Sequence, residues 1–210
     1  MLVASQLTFS RAGRRIFREL ELSVSAGELV QITGANGSGK TTLLRVLCGL
    51  LAPASGTLTW HGVPVRSNDP AFLNALCYVG HTNGIDPDLT VTESLRLAMQ
   101  LAGLRGPASE PFGIGRALEA LELGKLAATP VRKLSQGQRR RVALARLLLA
   151  RRELWLLDEP IASLDDHAVG LFTAQLDAHL RAGGMAIMAT HHLLSRPQGA
   201  NRVLRLGGTA

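Results

Sequence analysis

Aromatic side chains are scarce in this 210-residue chain: they make up 4% of the residues, although apolar residues make up 46%. A core with so few rings must be packed mainly by aliphatic side chains, which favours an α/β fold. The length suits one domain, or one domain with an inserted subdomain.

Long apolar runs are also missing. No stretch approaches the roughly 18 consecutive apolar residues that a membrane-spanning helix needs. Residues 1–6 contain no basic segment that leads into an apolar one, so we expect no signal peptide. Together these absences predict a chain that stays in the cytoplasm.

Cysteine occurs only twice, at Cys48 and Cys77, in apolar surroundings and without the spacing of metal ligands. This pattern predicts buried, reduced thiols and argues against a disulfide or a metal site. The chain has no Cys-x-x-Cys-His sequence for covalent haem attachment. His61, His167 and His179 are isolated and are interpreted as surface residues, so we expect no direct haem site.

Acidic residues number 16 against 23 basic residues, which gives a formal net charge of +7. Such a charge allows contact with anionic lipid, nucleic acid or an acidic partner. Part of the excess lies on one predicted helix, at Arg139, Arg140, Arg141, Arg146, Arg151 and Arg152. Because apolar residues interleave with these arginines, we interpret them as a solvated basic face. No nucleic-acid-binding motif or aromatic stacking platform accompanies the charge, so no nucleic-acid partner is expected.

A glycine-rich segment lies between an apolar strand pattern, residues 29–33, and a helical pattern near residues 43–47. This order of strand, loop and helix is the context of a phosphate-binding P-loop. Its glycines let backbone N–H groups turn toward the phosphates, Lys40 supplies a cation, and the Thr41 hydroxyl is placed to bind Mg²⁺. The predicted phosphate-binding residues are Gly34, Ala35, Asn36, Gly37, Ser38, Gly39, Lys40, Thr41 and Thr42. The sequence therefore predicts a nucleoside triphosphate site.

A second pattern is an unbroken apolar strand, residues 154–157, that ends in Asp158 and Glu159. Burial of the strand on both faces explains the apolar run. Beside a P-loop, Asp158 is predicted to hold Mg²⁺ through water. Glu159 is predicted to polarise the water that attacks the γ-phosphate.

A third pattern is Ser135-Gln136-Gly137-Gln138, which precedes a helix predicted to begin near Arg139. The residues alone allow two interpretations: Ser135 is an ordinary N-cap, or Ser135 and the Gly137 backbone donate to a phosphate at the helix N-terminus. The position of the segment just upstream of Asp158, in a chain with a P-loop, favours the phosphate.

The rest of the sequence alternates between strand and helix patterns. Strands are predicted at residues 2–8, 16–24, 29–33, 56–60, 154–157, 185–190 and 202–206, and helices within residues 90–150 and at 166–181. Residues 103–115 are predicted to form a loop. This alternation predicts a mainly parallel sheet with the ligand at the carboxyl ends of its strands.

With these motifs in this order, the sequence closely resembles the ATP-binding subunits of ABC transporters over nearly its whole length. The resemblance implies an α/β P-loop NTPase fold with a RecA-like core and a mainly parallel sheet. It also implies an N-terminal antiparallel β subdomain and a helical subdomain inserted at about residues 83–150. Residues 1–210 would form a single nucleotide-binding domain.

The resemblance also implies how ATP and Mg²⁺ are used. Such domains work as head-to-tail homodimers, in which each ATP lies between the Lys40 loop of one protomer and residues Ser135, Gly137 and Gln138 of the other. Asp165 matches the acidic member of the loop that crosses between the two sites. His191 matches the switch histidine that contacts the γ-phosphate.

Two positions depart from the usual pattern of this family. His81 stands where most members have a glutamine near Mg²⁺ and the transport subunit, and we expect it to serve coupling more than binding. Arg11 stands where an aromatic residue usually stacks on adenine, with Phe9 two residues earlier as the alternative. A guanidinium can stack on a base, so Arg11 is the predicted platform.

Within this family the chain is similar to the ATP-binding subunits of the haem exporters of cytochrome c maturation. The similarity rests on Gly80-His81 followed by Gly84-Ile85, on Trp60 with Gly62 and Pro64, and on Arg11. It implies a chain peripheral to the cytoplasmic side of the inner membrane, paired with an integral CcmB-like subunit and a CcmC-like protein. The alternatives are the ATPase of another small exporter (drug, lipid or lipoprotein) and a soluble ABC ATPase that acts on nucleic acid or the ribosome.

Overall fold

The strands and helices follow the predicted alternation. The computed structural model describes residues 1–66, 68–103, 113–195 and 199–207. In chain order the elements are β1 (Leu2–Arg11), β2 (Arg14–Val24), β3 (Leu29–Thr33), α1 (Lys40–Leu47), β4 (Ser55–Trp60), β5 (Val63–Pro64), α2 (Pro70–Ala75), β6 (Leu76–Val79), α3 (Val91–Leu101), α4 (Ile114–Ala120), α5 (Gln136–Ala150), β7 (Leu154–Asp158), α6 (Asp166–Arg181), β8 (Met185–Ala189) and β9 (Asn201–Arg205). Their contacts group into two units, residues 1–78, 153–159 and 179–210, and residues 79–152 and 160–178.

The first unit contains two sheets. One is antiparallel, in the order β2-β1-β4-β5, and the other has the order β6-β7-β8-β3-β9. In the second sheet β7 pairs with β8, β8 with β3, and β3 with β9, all in parallel. Every residue of β7 and β8 is buried, as the unbroken apolar sequences of these strands predict. The predicted mainly parallel sheet and the antiparallel N-terminal sheet are both confirmed.

The second unit is built mainly from helices. Both α3 and α4 pack on α5, and the apolar side of α3 buries Val91, Leu95 and Met99. A capping box at Thr90 and Glu93 fixes the start of α3. Within the parts of the chain that the structure describes, no helix is both long and apolar enough to cross a bilayer.

Several element boundaries differ from the predicted ones. The helix α5 begins at Gln136 rather than near Arg139, because Ser135 caps it. The short elements α2 and β6 were not predicted, since six and four residues are too few to show a clear period. The helix α4 starts at Ile114, inside the predicted loop of residues 103–115. Residues 104–112 of that loop lie outside the described residues.

The interpretation of the arginines of α5 as a solvated face is wrong. Arg140 is only 3% exposed. Arg139 donates to the carbonyls of Val131 and Arg132, and Arg141 donates to the carbonyl of Leu121. Arg146 and Arg152 also donate to main-chain carbonyls. Of the six arginines, only Arg151 is exposed. These guanidinium groups satisfy main-chain carbonyls of neighbouring segments by hydrogen bonds. A count of charged residues does not reveal this role.

The surface interpretation of His179 is also wrong. Its ring stacks on the buried Trp155 indole, with centroids 3.9 Å apart and an interplanar angle of 4°. Burial lowers the pKa of His179, and the neutral ring donates its Nε2–H to the carbonyl of Met185 at 3.1 Å. In contrast, His61 and His167 are exposed, as predicted.

Alanine at Gly184 should destabilise the fold, because an added Cβ atom would overlap the His179 ring. That ring cannot move away without leaving Trp155. We expect Gly184→Ala to lower the free energy of unfolding by about 1–3 kcal/mol, the usual cost of overpacking. Urea unfolding measures this change, and the double variant Gly184→Ala/His179→Ala is the control. If the double variant loses as much stability as the sum of the two single variants, the clash is not the cause.

The two cysteines match the prediction of reduced thiols. Neither forms a disulfide within the residues that the structure describes; Cys48 is buried as predicted, whereas Cys77 is only half-buried. Burial raises the pKa of the Cys48 thiol, which lowers the fraction of reactive thiolate at neutral pH.

Candidate nucleotide site

The P-loop turns sharply between β3 and α1 because its three glycines, Gly34, Gly37 and Gly39, adopt positive φ angles. Gly34 has φ 150° and Gly39 has φ 98°. A Cβ atom on Gly34 would overlap the Leu206 carbonyl and lie 2.6 Å from Ser38 Oγ, and one on Gly39 would lie 2.5 Å from Ile16 Cγ2. The loop therefore tolerates no side chain at these two positions.

The inside of this loop suits an anion. The Lys40 side chain is 7% exposed, and its Nζ donates to the carbonyls of Gly34 at 2.9 Å and Ala35 at 3.2 Å. Ser38 Oγ is buried and has no hydrogen-bond partner within the described residues. A buried cation and a hydroxyl that lacks a partner are the groups that a phosphate satisfies.

The predicted Mg²⁺ residues lie side by side. Thr41 Oγ1, at the start of α1, donates to Asp158 Oδ1, at the end of β7, over 3.0 Å. Asp158 is 1% exposed. A hydroxyl and a carboxylate are oxygen donors of the kind that Mg²⁺ binds together with phosphate oxygens, so the residues present fit this ion.

Glu159 and His191 meet where the neighbouring strands β7 and β8 end. Glu159 has a left-handed backbone, φ 50°, and its N–H donates to the carbonyl of Ala189. Its carboxylate lies 3.4 Å from the backbone nitrogen and 3.4 Å from Nε2 of His191. The Glu159 side chain is 16% exposed and that of His191 is 43% exposed, so a water molecule can reach both groups.

The hairpin of β1 and β2 lies against the P-loop. Ile16 is an extra residue between the register pairs Phe9↔Phe17 and Ser10↔Arg15, and its side chain contacts Gly39. Such a bulge re-aims a side chain out of the regular alternation. Phe9 is 8% exposed and stacks on Phe17 inside the core, whereas Arg11 is exposed at the hairpin tip. Of the two candidates for adenine, only Arg11 is accessible.

Removal of the Arg11 guanidinium should weaken ATP binding. A guanidinium over a π-face contributes about 0.5–2 kcal/mol, so we expect Arg11→Ala to raise the Kd for ATP by roughly threefold to thirtyfold. Titration with a fluorescent ATP analogue measures the Kd. Arg18, which pairs with Glu19 on the same hairpin, offers the control Arg18→Ala. Equal affinities of the two variants would show that Arg11 is not the platform.

In the second unit the third motif forms the start of α5. Ser135 Oγ accepts from the Gln138 N–H at 3.1 Å, and the Gln138 side chain accepts from the Ser135 N–H at 2.9 Å. Ser135 is thus the N-cap. The capping role and the phosphate role are compatible, because the N–H groups of the first helical turn still point outward. A Cβ atom on Gly137 would lie 2.7 Å from the Ser163 carbonyl, so this helix start packs on the loop of residues 162–165.

Asp165 and His81 also lie in the second unit, and both are exposed. Asp165 Oδ1 accepts from the Ala168 N–H at 2.7 Å, so its carboxylate caps α6. The segment around His81 is held from α5 through Gly80 and Asn83.

Two contributors were missed from the sequence, Arg140 and Ile16. The helical period contained a signal for Arg140, since it lies three, four and seven residues before the buried Ala143, Leu144 and Leu147. The sequence contained no signal for Ile16, because the position of a bulge depends on the register between two strands.

Comparison with known proteins identifies the class of this molecule. The family model of the ABC transporter matches residues 17–162. A solved structure described as an ATP-binding subunit of an ABC transporter superposes with a TM-score of 0.86 at 23% identity, and covers 98% of this chain and 88% of that one. The chain therefore belongs to the ABC transporter family, and it is an ATPase of that family.

Two curated relatives narrow the comparison. A protein of Cupriavidus necator is 60% identical over 194 residues, which cover 92% of this chain and 84% of the relative. One of Cupriavidus pinatubonensis is 55% identical over 208 residues, or 99% of this chain and 89% of the relative. Both are named cytochrome c biogenesis ATP-binding export protein CcmA.

Proposed function

We propose that this chain is the ATP-hydrolysing subunit of an export complex for c-type cytochrome biogenesis. Its hydrolysis powers either haem export or the release of a haem-loaded chaperone. The observation that carries the proposal is the 60% identity to a relative named as that system's ATP-binding protein. The replacements at His81 and Arg11 support it, because they separate this chain from the general pattern of ABC ATPases.

ATP binding is assigned to the first unit. The P-loop N–H groups, Ser38 Oγ and Lys40 take the phosphates, and Arg11 stacks on adenine. Lys40 exchanges its two carbonyl partners for phosphate oxygens, which strengthens its electrostatic interaction. When Mg²⁺ is bound by Thr41 and Asp158, it neutralises charge on the phosphates.

Hydrolysis is assigned to Glu159 and His191. The Glu159 carboxylate accepts a proton from the attacking water, and its fixed backbone aims that carboxylate from the end of β7. His191 holds the Glu159 carboxylate and contacts the γ-phosphate. Ser135, Gly137 and Gln138 of a second protomer close the site, and Asp165 lies in the loop that crosses between the two sites.

The proposed partner is an integral membrane subunit of the CcmB type, with a CcmC-like protein, on the cytoplasmic side of the inner membrane. Support comes from the α3 surface, where Leu97 is 41% and Leu101 is 80% exposed. These leucines are four residues apart, so they share one side of the helix. We assign the region of residues 81–101 to docking of the membrane subunit.

His81 should affect coupling and leave basal hydrolysis unchanged. The side chain is exposed, while the backbones of its neighbours Gly80 and Asn83 are anchored to α5. We expect His81→Ala to remove most of the stimulation of ATPase activity by the membrane subunit and to keep the basal rate within about twofold. Phosphate release with and without the partner measures both rates. If the membrane subunit stimulates His81→Ala as strongly as the native protein, His81 has no role in coupling.

A pull-down with Glu159→Gln from solubilised membranes, with ATP present, tests the proposed function. The variant should hold the ATP-bound state on its partner, because hydrolysis no longer releases it. Recovery of the cytochrome c maturation membrane proteins supports the proposal. Recovery of a different membrane protein would contradict the assignment to cytochrome c biogenesis but not the assignment as a transporter ATPase. Co-sedimentation with ribosomes would support the soluble alternative.

A further inference from the structure

The guanidinium of Arg140 joins three segments of the second unit. The side chain projects from the second turn of α5 and the residue is 3% exposed. Its Nε donates to the Pro160 carbonyl at 3.1 Å, and its Nη1 donates to the Gly80 carbonyl at 2.8 Å and to Asn83 Oδ1 at 3.2 Å. One buried cation thus holds α5, residues 80–83 and residue 160 together.

Each of these segments adjoins a residue assigned to ATP hydrolysis or coupling. Pro160 is bonded to Glu159, the proposed base, and Gly80 is bonded to His81. Ser135, the N-cap of α5, lies five residues before Arg140, or about 7.5 Å along the helix. The contacts of Arg140 therefore involve neighbours of the base, of the coupling histidine and of the helix start that faces a second protomer.

The physical demands of a buried guanidinium make this junction rigid. Arginine stays charged at all working pH values, so burial of its guanidinium without acceptors is strongly unfavourable. Its acceptors include two main-chain carbonyls and one side-chain amide, and the two carbonyl contacts hold the backbone at residues 80 and 160. The planar group donates in fixed directions, so movement of either segment breaks a hydrogen bond in a buried place.

We propose that Arg140 is a positioning residue that links the His81 segment to the segment after Glu159. It transmits engagement of the membrane subunit at residues 81–101 through the His81 segment to the position of the Glu159 carboxylate. This role rests on the proposed function only as far as the chain is an ATPase coupled to a membrane subunit. The proposed role of Arg140 does not depend on which molecule is exported.

Arg146 supplies a matched comparison on the same helix. Its Nη1 donates to the Asn83 carbonyl at 3.3 Å, so it also holds the His81 segment. Unlike Arg140 it is half-buried, and within the described residues it donates to Asn83 and not to residue 160. Loss of Arg146 should loosen the His81 segment alone, whereas loss of Arg140 should also release the segment that follows the base.

The test compares Arg140→Met, Arg140→Lys and Arg146→Met in the full chain, alone and with the membrane subunit that co-purifies with it. We expect Arg140→Met to lower basal kcat about tenfold or more, with the KM for ATP within about twofold, and to abolish stimulation. Arg140→Lys keeps the charge, but an ammonium group cannot donate to the Pro160 and Gly80 carbonyls in the fixed directions of a guanidinium. It should therefore restore less than half of the native basal kcat. Arg146→Met should reduce stimulation and leave basal kcat unchanged.

Two controls keep this test decisive. Thermal melting and binding of a fluorescent ATP analogue show which variants fold. If Arg140→Met does not fold, Asn83→Ala removes one acceptor, and it should lower stimulation at least threefold with the melting temperature unchanged. The proposal is overturned if Arg140→Met keeps both kcat and stimulation, if kcat and ATP affinity fall in parallel, or if Asn83→Ala, used in its place, leaves stimulation intact. Recovery of an unexpected membrane subunit would overturn the cytochrome assignment and leave this result standing.

Discussion

Replacement of Glu159 by glutamine should lower the rate of ATP hydrolysis by about 10²–10⁴-fold and leave ATP affinity nearly unchanged. The amide has the shape of the carboxylate but cannot accept a proton from water. Glu159 is held in place by its N–H bond to Ala189 and its left-handed backbone, so the variant should keep the geometry of the site. Phosphate release measures the rate, and a fluorescent ATP analogue measures the affinity.

The matched control for this variant is Glu153→Gln. Glu153 also lies in the first unit, but its carboxylate is exposed and contacts His61. We expect Glu153→Gln to hydrolyse ATP at the native rate. If Glu159→Gln keeps more than about a tenth of the native rate, the base is another group, and His191 becomes the first candidate to test.

The nucleotide site was largely predictable because its residues are local in sequence. The P-loop and Glu159 each follow a strand with a clear apolar pattern, and Asp158 is the last residue of such a strand. Parallel strands bring their carboxyl ends to one edge of the sheet. The pairing of Thr41 with Asp158 follows from that topology. The burial of Phe9 and the exposure of Arg11 do not follow from that topology, because they depend on which side of a bulged hairpin is buried.

The errors concern residues whose partners are distant in sequence. Arg140 reaches residues 80 and 160, and His179 is half-buried against Trp155, where Gly184 leaves space for its ring. Composition marks both residues as polar and predicts exposure. The helical period of α5 places Arg140 on the buried side but does not identify its acceptors, which only tertiary packing supplies. The stacking of His179 on Trp155 has no local signal in the sequence.

Arginine at Ser135 should abolish ATP-dependent dimerisation. The proposed head-to-tail dimer places the γ-phosphate of one protomer at the N-terminus of α5 in the other, where Ser135 is the cap. A long cationic side chain there fills the space of the phosphate and removes the capping oxygen. In the Glu159→Gln background, which retains ATP, we expect dimers with ATP and only monomers once Ser135→Arg is added.

The loss of the cap itself must be separated from the loss of the interface. Removal of a serine or threonine cap costs about 1 kcal/mol of stability in any helix. Thr90 forms an equivalent capping box with Glu93 at the start of α3, so Thr90→Arg in the same background is the matched control. Light scattering should show dimers for Thr90→Arg and monomers for Ser135→Arg at similar melting temperatures, with ATP still bound to both. A dimer that survives Ser135→Arg would mean that α5 does not face the phosphate of a second protomer, because a helix start in that position cannot accommodate an arginine and the nucleotide together.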